Sequence, residues 1–591
     1  MPEIDNLISM FEFDDLVNMI SLGTALNINP FLNDALRPQM QTPQDFKQEY
    51  PYFTVEYQKK KPFTRPLDRS IAQLPPEKLF TEFCDRIPPP ISNINSSDYV
   101  FVEANTIVQM RHLKLFNRPE RPRPSRIETQ LSQAIQRVEK LMDIPDKLQF
   151  PEKNALRSVP FYNKRSSGYY YWLQRLNTRE KANFVAQIDA EQAYDALMAG
   201  RTVNPHLYRI CGKGKATLKS KLSDNSLITG RLILLTTQRD IKLNGITENY
   251  LTEHYIDKKY PVGFGLSWWH GGSDAFIERM KPYDTFYCLD AKKFDANIDG
   301  WMVKMAIGIL RKQYIDGTDS RYDTYWNFIY SGLVDTPIFR DDGIAFEKHV
   351  GSTTGHSHNT LVQSIITLII AYAAIIVANP HLSCDYIFEN TWVESLGDDN
   401  IIAIRGNMKR LTALELAKVT MEHFGIDWSG AKSFRTSTLV DQEACSFSGV
   451  QFLGKYFRKA DIEYDPPNAQ GHYLPYRPAS ETFLKLLFTT RKPQDSRDVY
   501  GKELETMCAK DMYLRALGNW YDCAGNKEMR NWLDLYLDWL EGVLKGDLPK
   551  RWTDDDIRKF QHGQRNTGLI LPDCKRITYE QWVDMVVTPR K

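Results

Sequence analysis

Thirteen residues constrain this chain more than any others: Trp392-Val-Glu-Ser-Leu-Gly-Asp-Asp-Asn-Ile-Ile-Ala-Ile404. Trp392 and Val393 favour a strand before the centre, and Ile401, Ile402 and Ile404 favour one after it. Gly397, Asp398 and Asp399 lie between, where a hairpin needs residues that tolerate positive φ. Adjacent carboxylates at the tip of an apolar hairpin repel each other, a cost that a fold usually accepts for a cation. Taken alone, Gly-Asp-Asp is also ordinary turn chemistry, so the rest of the chain has to decide.

At 591 residues the chain is too long for one simple core and predicts several packed subdomains. Hydrophobic residues make up 42% and aromatics 12%, which excludes a disordered chain. With a formal net charge of +1, any nucleic-acid contact needs a local basic lining and not a global field. The eight cysteines form no Cys-x-x-Cys pair, so neither a zinc site nor a disulfide framework is indicated, and a reducing cytoplasm fits. The start, Met1-Pro-Glu-Ile-Asp-Asn6, lacks the basic region of a signal peptide. Leu361 to Ala378 is long enough to span a bilayer, but Gln363, Ser364 and Thr367 sit at its start and no Lys or Arg flanks it. It predicts a buried core helix.

Ahead of the hairpin, residues 1–125 form a lead-in with helical patches near Leu7–Leu22 and proline-rich loops. The run Arg118-Pro-Glu-Arg-Pro-Arg-Pro-Ser-Arg126 reads as a solvated linker, with contact to RNA phosphates as the alternative. A helix is predicted over Ile127–Met142. In Asn163-Lys-Arg-Ser-Ser-Gly-Tyr-Tyr-Tyr-Trp172, small residues allow close backbone approach and the aromatics offer stacking faces. Between Arg209 and Lys242, eight cations face two acids, without the i,i+4 pairing of a solvated helix face. A positive wall for phosphates is favoured. Thr285-Phe-Tyr-Cys-Leu289 is an apolar strand ending in Asp290-Ala-Lys-Lys-Phe-Asp295, where an open sheet displays chemistry. Helices follow at Trp301–Tyr314 and, past the hairpin, at Asn407–Phe424. The small, polar loop Val350-Gly-Ser-Thr-Thr-Gly-His-Ser-His-Asn-Thr360 suits nucleic-acid backbone and sugar groups. A metal reading of His349, His356 and His358 is rejected because no Cys or acid accompanies them at ligand spacing. Prolines and glycines over 461–478 mark a boundary, after which Ser480 is a candidate N-cap and Leu533, Leu537, Leu540 and Leu544 share a helix face.

Asp290 and Asp398, with Asp399 beside them, are hard oxygen ligands suited to magnesium. Two such ions, roughly 3.5–4 Å apart, can clamp the attacking 3′ oxygen and the leaving pyrophosphate. Asp295 can face the incoming sugar. Arg231 and a lysine from Lys213, Lys215, Lys219 and Lys221 would neutralise a triphosphate.

This order, Asp-x4-Asp, Gly-Ser-Thr-Thr-Gly with its helix, then Gly-Asp-Asp, resembles motifs A, B and C of viral RNA-dependent RNA polymerases. The basic segment with Arg231 is similar to their motif F, Ser166-Ser167-Gly168 to motif G, Lys432 to the motif D lysine that protonates pyrophosphate, and Phe452-Leu453-Gly454 to the motif E primer grip. Length and the run Asn359-Thr-Leu-Val-Gln-Ser364 look most like the partitiviruses and related small segmented double-stranded RNA viruses, with picobirnaviruses as neighbours. Asn359 stands where that group usually has Thr, and Gln363 where it has Asn or Asp.

The resemblance implies an α+β right-hand fold, with an antiparallel palm sheet and a helical thumb. It implies an N-terminal extension at 1–125, fingers at 126–280, palm at 281–300, a fingers insertion at 301–345, palm again at 346–460, and thumb and tail at 461–591. It implies catalytic Asp290, Asp398, Asp399 and Lys432, nucleotide contacts from Asp295, Asn359 and Gln363, and RNA contacts from Ser352, Thr353, Thr354 and Gly355. Two Mg2+ ions, with Mn2+ as the alternative, would serve rNTPs on template and product RNA. A viral capsid partner, no membrane, and a place inside the virion in the host cytoplasm are further expectations. The rivals are a reverse transcriptase, a non-catalytic RNA-binding capsid-associated protein and a membrane protein anchored by 361–378. Leu396-Gly397 before the Asp pair, and an Asp295 available to a 2′ hydroxyl, argue against the first. Three aligned carboxylates argue against the second.

Overall fold

The computed structural model describes residues 41–62, 73–92, 94–224, 227–257, 259–441, 445–488, 501–553, 557 and 571–589; the helical patches expected near Leu7–Leu22 lie outside them. The chain mixes helices with largely antiparallel sheets, compatible with the α+β class. The central sheet is four-stranded and antiparallel, in the order Thr391–Leu396, Asp399–Ile404, Thr285–Leu289, Phe434–Thr436. Every residue of Thr285–Leu289 is buried, which explains its unbroken apolar run. A five-stranded sheet joins Thr54–Val55, Ala345–Lys348, Thr336–Phe339, Tyr208–Lys213 and Arg231–Leu235.

The apolar stretch is a helix, Asn359–Ala378, buried from Leu361 to Ile376. By length and composition it could cross a membrane, yet here it is the core. It packs on helices Glu128–Leu141, Gly300–Arg311 and Ala413–Phe424 and on the strand Thr391–Leu396. Its polar residues serve the hairpin. Thr367 donates to the Gly397 carbonyl at 2.8 Å, and Ser364 Oγ accepts from Gly397 N–H at 2.8 Å. Buried polar groups need such partners.

Two boundaries differ from expectation. The punctuated segment 461–478 contains the strand Tyr473–Tyr476, which pairs back onto Lys455–Lys459, because the prolines fall at positions that this short edge strand tolerates. Ser480 is not an N-cap: the helix Ala479–Leu486 begins after Pro478, which cannot donate to the preceding turn in any case. The helix Lys527–Leu544 buries Leu533, Leu537, Leu540 and Leu544 as predicted, with Trp532 in the same core.

Candidate active site

The turn of the hairpin is two residues long, Gly397 and Asp398, so Leu396 pairs with Asp399 and the second strand opens on a carboxylate. In the next ladder Asn400 pairs with Leu289. Continued by one residue, that register sets Asp399 opposite Asp290. Gly430 backs onto Asp290: a Cβ there would lie 2.4 Å from Asp290 Oδ2. Asp290 N–H donates to Ser433 Oγ at 2.9 Å. Four carboxylates thus share one electrostatic field. Burial, then the Asp295 and Asp290 charges, push Asp398 up to about 6, with Arg231 pulling the other way. Burial, then Asp398 and Asp290, push Asp399 up to about 7, opposed by a backbone hydrogen bond from Leu453 and by Lys432. Like charges driven together in a half-buried site are what a hard divalent cation offsets, and the donor set is oxygen only.

Asp295 belongs to a separate network. Its carboxylate accepts from Thr354 Oγ1 and Gln363 Nε2, both in short contacts. Gln363 Nε2 also donates to Asn359 Oδ1 at 3.2 Å, and Ser352 Oγ donates to the same oxygen. The loop and helix expected to read a sugar therefore converge on the acid expected to face it.

Lys213, Lys215, Lys219, Lys221 and Arg231 are exposed, and Lys213 sits directly opposite Arg231 across the strand pair. The other cations of that segment are spent internally: Arg209 pairs with Asp341 at 3.1 Å, Arg239 pairs with Asp240 at 2.7 Å, and Lys242 is buried over the Phe161 ring. The wall is therefore narrower than composition suggests. Lys432 is exposed and pairs with Glu481 at 2.6 Å.

Several expected RNA contacts are interior groups. Ser167 is fully buried and donates to Leu176 O, while Gly168, at φ 96°, gives its close approach to Thr237 of the same chain. Ser352 and Thr353 are buried, the latter donating to Leu333 O at 2.9 Å. Phe452 is stacked in the core on Phe276 at 5.6 Å. Ser166, Thr354, Leu453 and Gly454 are half-buried and Gly355 is exposed, so these remain at a surface. Side-chain type alone does not separate a hydroxyl that caps a buried carbonyl from one that faces solvent.

The rejected histidine metal reading rests on a premise that the fold removes. His349 does have acidic company, with Nδ1 at 3.1 Å from Asp335 and 3.5 Å from Glu347. Among the described residues these three are the group whose ligand atoms lie within 4.8 Å of one another; Asp290, Asp398 and Asp399 are spread more widely. His349 Nε2 meets Thr54 Oγ1 at 2.7 Å. His356 and His358 are buried packing groups, and burial pushes both down, His358 to about 3.

Sequence reasoning missed that Ser364 and Thr367 hold the Gly397 backbone of the turn, and that Gly430 and Ser433 back the Asp290 main chain. For the first two the signal was present as hydroxyls in an otherwise apolar helix.

Comparison with known proteins falls on the same stretch. Residues 254–476 match the family model described as viral RNA-dependent RNA polymerase. The chain is 22% identical over 265 residues to the genome polyprotein of Beet mosaic virus, covering 44% of this chain and 8% of the polyprotein. It is 26% identical over 207 residues to that of Bean yellow mosaic virus, covering 35% and 6%. It is 21% identical over 278 residues to that of Brome streak virus (strain German), covering 44% and 27%. The chain therefore spans less than a third of the length of each of these relatives. Over 254–476, which holds Asp290, Asp295, Asp398, Asp399 and Lys432, the chain is similar to viral RNA-dependent RNA polymerases.

Proposed function

We propose that the chain is a viral RNA-dependent RNA polymerase that adds rNTPs to RNA 3′ ends in genome replication and transcription. One observation carries this reading: Asp290, Asp398 and Asp399 meet at one end of a buried antiparallel sheet, with Asp295 close enough to shift Asp398. Asp290, Asp398 and Asp399 are the residues that would hold Mg2+, or Mn2+; two such ions, when bound, supply Lewis-acid stabilisation of the attacking and leaving oxygens. The chain's own groups do the rest. Asp295, held by Thr354 and Gln363, orients the ribose. Arg231 and the exposed lysines screen the triphosphate. The 3′ hydroxyl attacks the α-phosphorus and gives up its proton to solvent, pyrophosphate leaves, and the Lys432 ammonium, released from Glu481, donates a proton to it.

The finer division into fingers, palm and thumb, with the boundaries given above save that the segment before the thumb runs on through the strand Tyr473–Tyr476, is part of the proposal. It is supported by the carboxylate-bearing antiparallel sheet and by the helices after Ala479. So are the partitivirus-like affinity, supported by the 359–364 run, a capsid partner, the absence of a membrane contact, and a virion interior in the host cytoplasm.

The test is template-dependent incorporation of labelled rNTPs and dNTPs on single-stranded RNA with magnesium, for wild type and Asp398→Ala. The expected result is rNTP incorporation by wild type and a loss of more than about 10²-fold in the variant, with RNA binding retained. Equal activity in both proteins would hand the assignment to the non-catalytic reading, and preferential use of dNTPs would hand it to a reverse transcriptase.

A further inference from the structure

The basic, proline-spaced run 118–126 is neither a solvated linker along its whole length nor a phosphate contact at its first two arginines. Arg118 and Arg121 turn inward and close on the residues immediately after Asp295. Arg118 Nε and Nη2 donate to the Ala296 carbonyl at 3.1 and 2.9 Å, Nη2 to the Ile298 carbonyl at 3.1 Å, and Nη1 to Asp299 Oδ1 at 2.6 Å. Arg121 Nε donates to Asp299 Oδ2 at 2.7 Å, its Nη2 to the Asn297 carbonyl, and its Nη1 to the Gly425 carbonyl at 2.8 Å. Asp299 is fully buried. Asp295 itself lies in a single helical turn, Phe294–Asn297, too short to satisfy its own carbonyls. The two guanidinium forks satisfy them instead, and their common carboxylate locks the forks in register. From the other side, Ser352 N–H donates to the Asp295 carbonyl at 2.7 Å and Gly351 N–H to the Ile298 carbonyl at 2.9 Å.

We infer that Arg118 and Arg121 are positioning residues for Asp295, and through it set the preference for ribose over deoxyribose in the incoming nucleotide. The inference rests on the polymerase reading and on Asp295 facing the sugar. Arginine suits this role because its planar fork presents five donors in a fixed geometry that reaches the carbonyls and grips the carboxylate side-on, which a lysine ammonium does not reproduce. Arg121 also ties this turn to Gly425, seven residues before Lys432, at a contact so close that a Cβ on Gly425 would meet Arg121 Nη1 at 1.4 Å.

The experiment measures kcat and KM for ATP and dATP on one RNA template, with melting temperature and RNA binding, for wild type, Arg118→Lys, Arg121→Lys and Gly425→Ala. The last variant keeps all three charged groups and displaces the fork, with alanine also placed at the left-handed φ of 66° that caps the helix Ala413–Phe424, a cost that the melting temperature reads separately. The expected result is a KM for ATP raised about tenfold, with dATP use not falling in step, so that the ATP/dATP ratio in kcat/KM drops about tenfold while RNA binding holds. A purely structural role would lower the melting temperature and both activities together and leave the ratio unchanged, which would overturn the inference. So would failure of all three variants to fold. A wild type that incorporates neither nucleotide would defeat the polymerase reading itself, a result distinct from an unchanged ratio.

Discussion

At the scale of single residues, Gly430 and Arg231 make opposite demands on the same carboxylates. Gly430 leaves no room for a side chain behind Asp290. Gly430→Ala would set a Cβ 2.4 Å from both the Asp290 carbonyl and Oδ2, so it is expected to displace the strand end and its carboxylate, cutting incorporation by about 10²-fold and lowering the melting temperature as well; a normal rate would show that the site tolerates the shift. Arg231 faces the site from the exposed side and draws Asp398 down. Arg231→Ala should raise the KM for nucleotide by about tenfold and leave RNA binding nearly intact, as loss of one charged hydrogen-bonding partner implies. An unchanged KM would remove its proposed role. The carboxylates themselves were legible in the sequence, because their positions follow from strand ends and a two-residue turn. Glycine and hydroxyl roles were not, since Ser433 and Thr367 act through contacts with residues far along the chain.

At the scale of elements, one buried ion pair ties the three-stranded sheet of Gln451–Phe452, Lys455–Lys459 and Tyr473–Tyr476 to the C-terminal helix. Arg458, in the strand Lys455–Lys459, holds Asp465 at 2.6 Å, and Asp465 accepts from Tyr579 Oη at 2.7 Å, at the start of the helix Tyr579–Val587. Burial pushes the Asp465 carboxyl up, but the Arg458 guanidinium outweighs it and holds the group below the usual carboxylate range. A lowered folded value means that this stability is complete above the unfolded Asp value of about 3.9 and is lost as pH falls below it. Asp465→Asn should cost about 3–5 kcal/mol, because it leaves Arg458 buried and unpaired. Chemical denaturation at pH 7 and pH 3 checks both statements: the variant's deficit should be large at pH 7 and shrink at pH 3. A deficit that does not depend on pH would rule out the ion pair as its source. The 3.6-residue and two-residue periods predicted these elements well, including the helix buried from Leu361 to Ile376. They misplaced the boundary at 461–478, because a strand completed by partners before it carries little signal of its own.

At the scale of the whole molecule, divalent metal should couple folding to activity. Magnesium is expected to raise the melting temperature of wild type, by about 2.7 kcal/mol of stabilisation at a hundredfold excess over Kd, and to do so far less in Asp398→Ala. Chelation should abolish incorporation and magnesium should restore it. An equal shift in both proteins would place the bound ion elsewhere, with Asp335, Glu347 and His349 the first group to mutate. The order of motifs from Asp290 to Lys432 was determined by the sequence alone, and with it the likeness to viral RNA-dependent RNA polymerases that the match over 254–476 carries. Local chemistry suffices there: strand ends, turn residues and apolar periodicity are written in neighbouring positions. Only the tertiary structure decided which cations face solvent and which lock the interior. Arg118 and Arg231 are the same residue type in equally basic runs, and one is held by Asp299 while the other is exposed at the site. Partners 178 to 181 residues away decide that difference, and a linear pattern does not encode them.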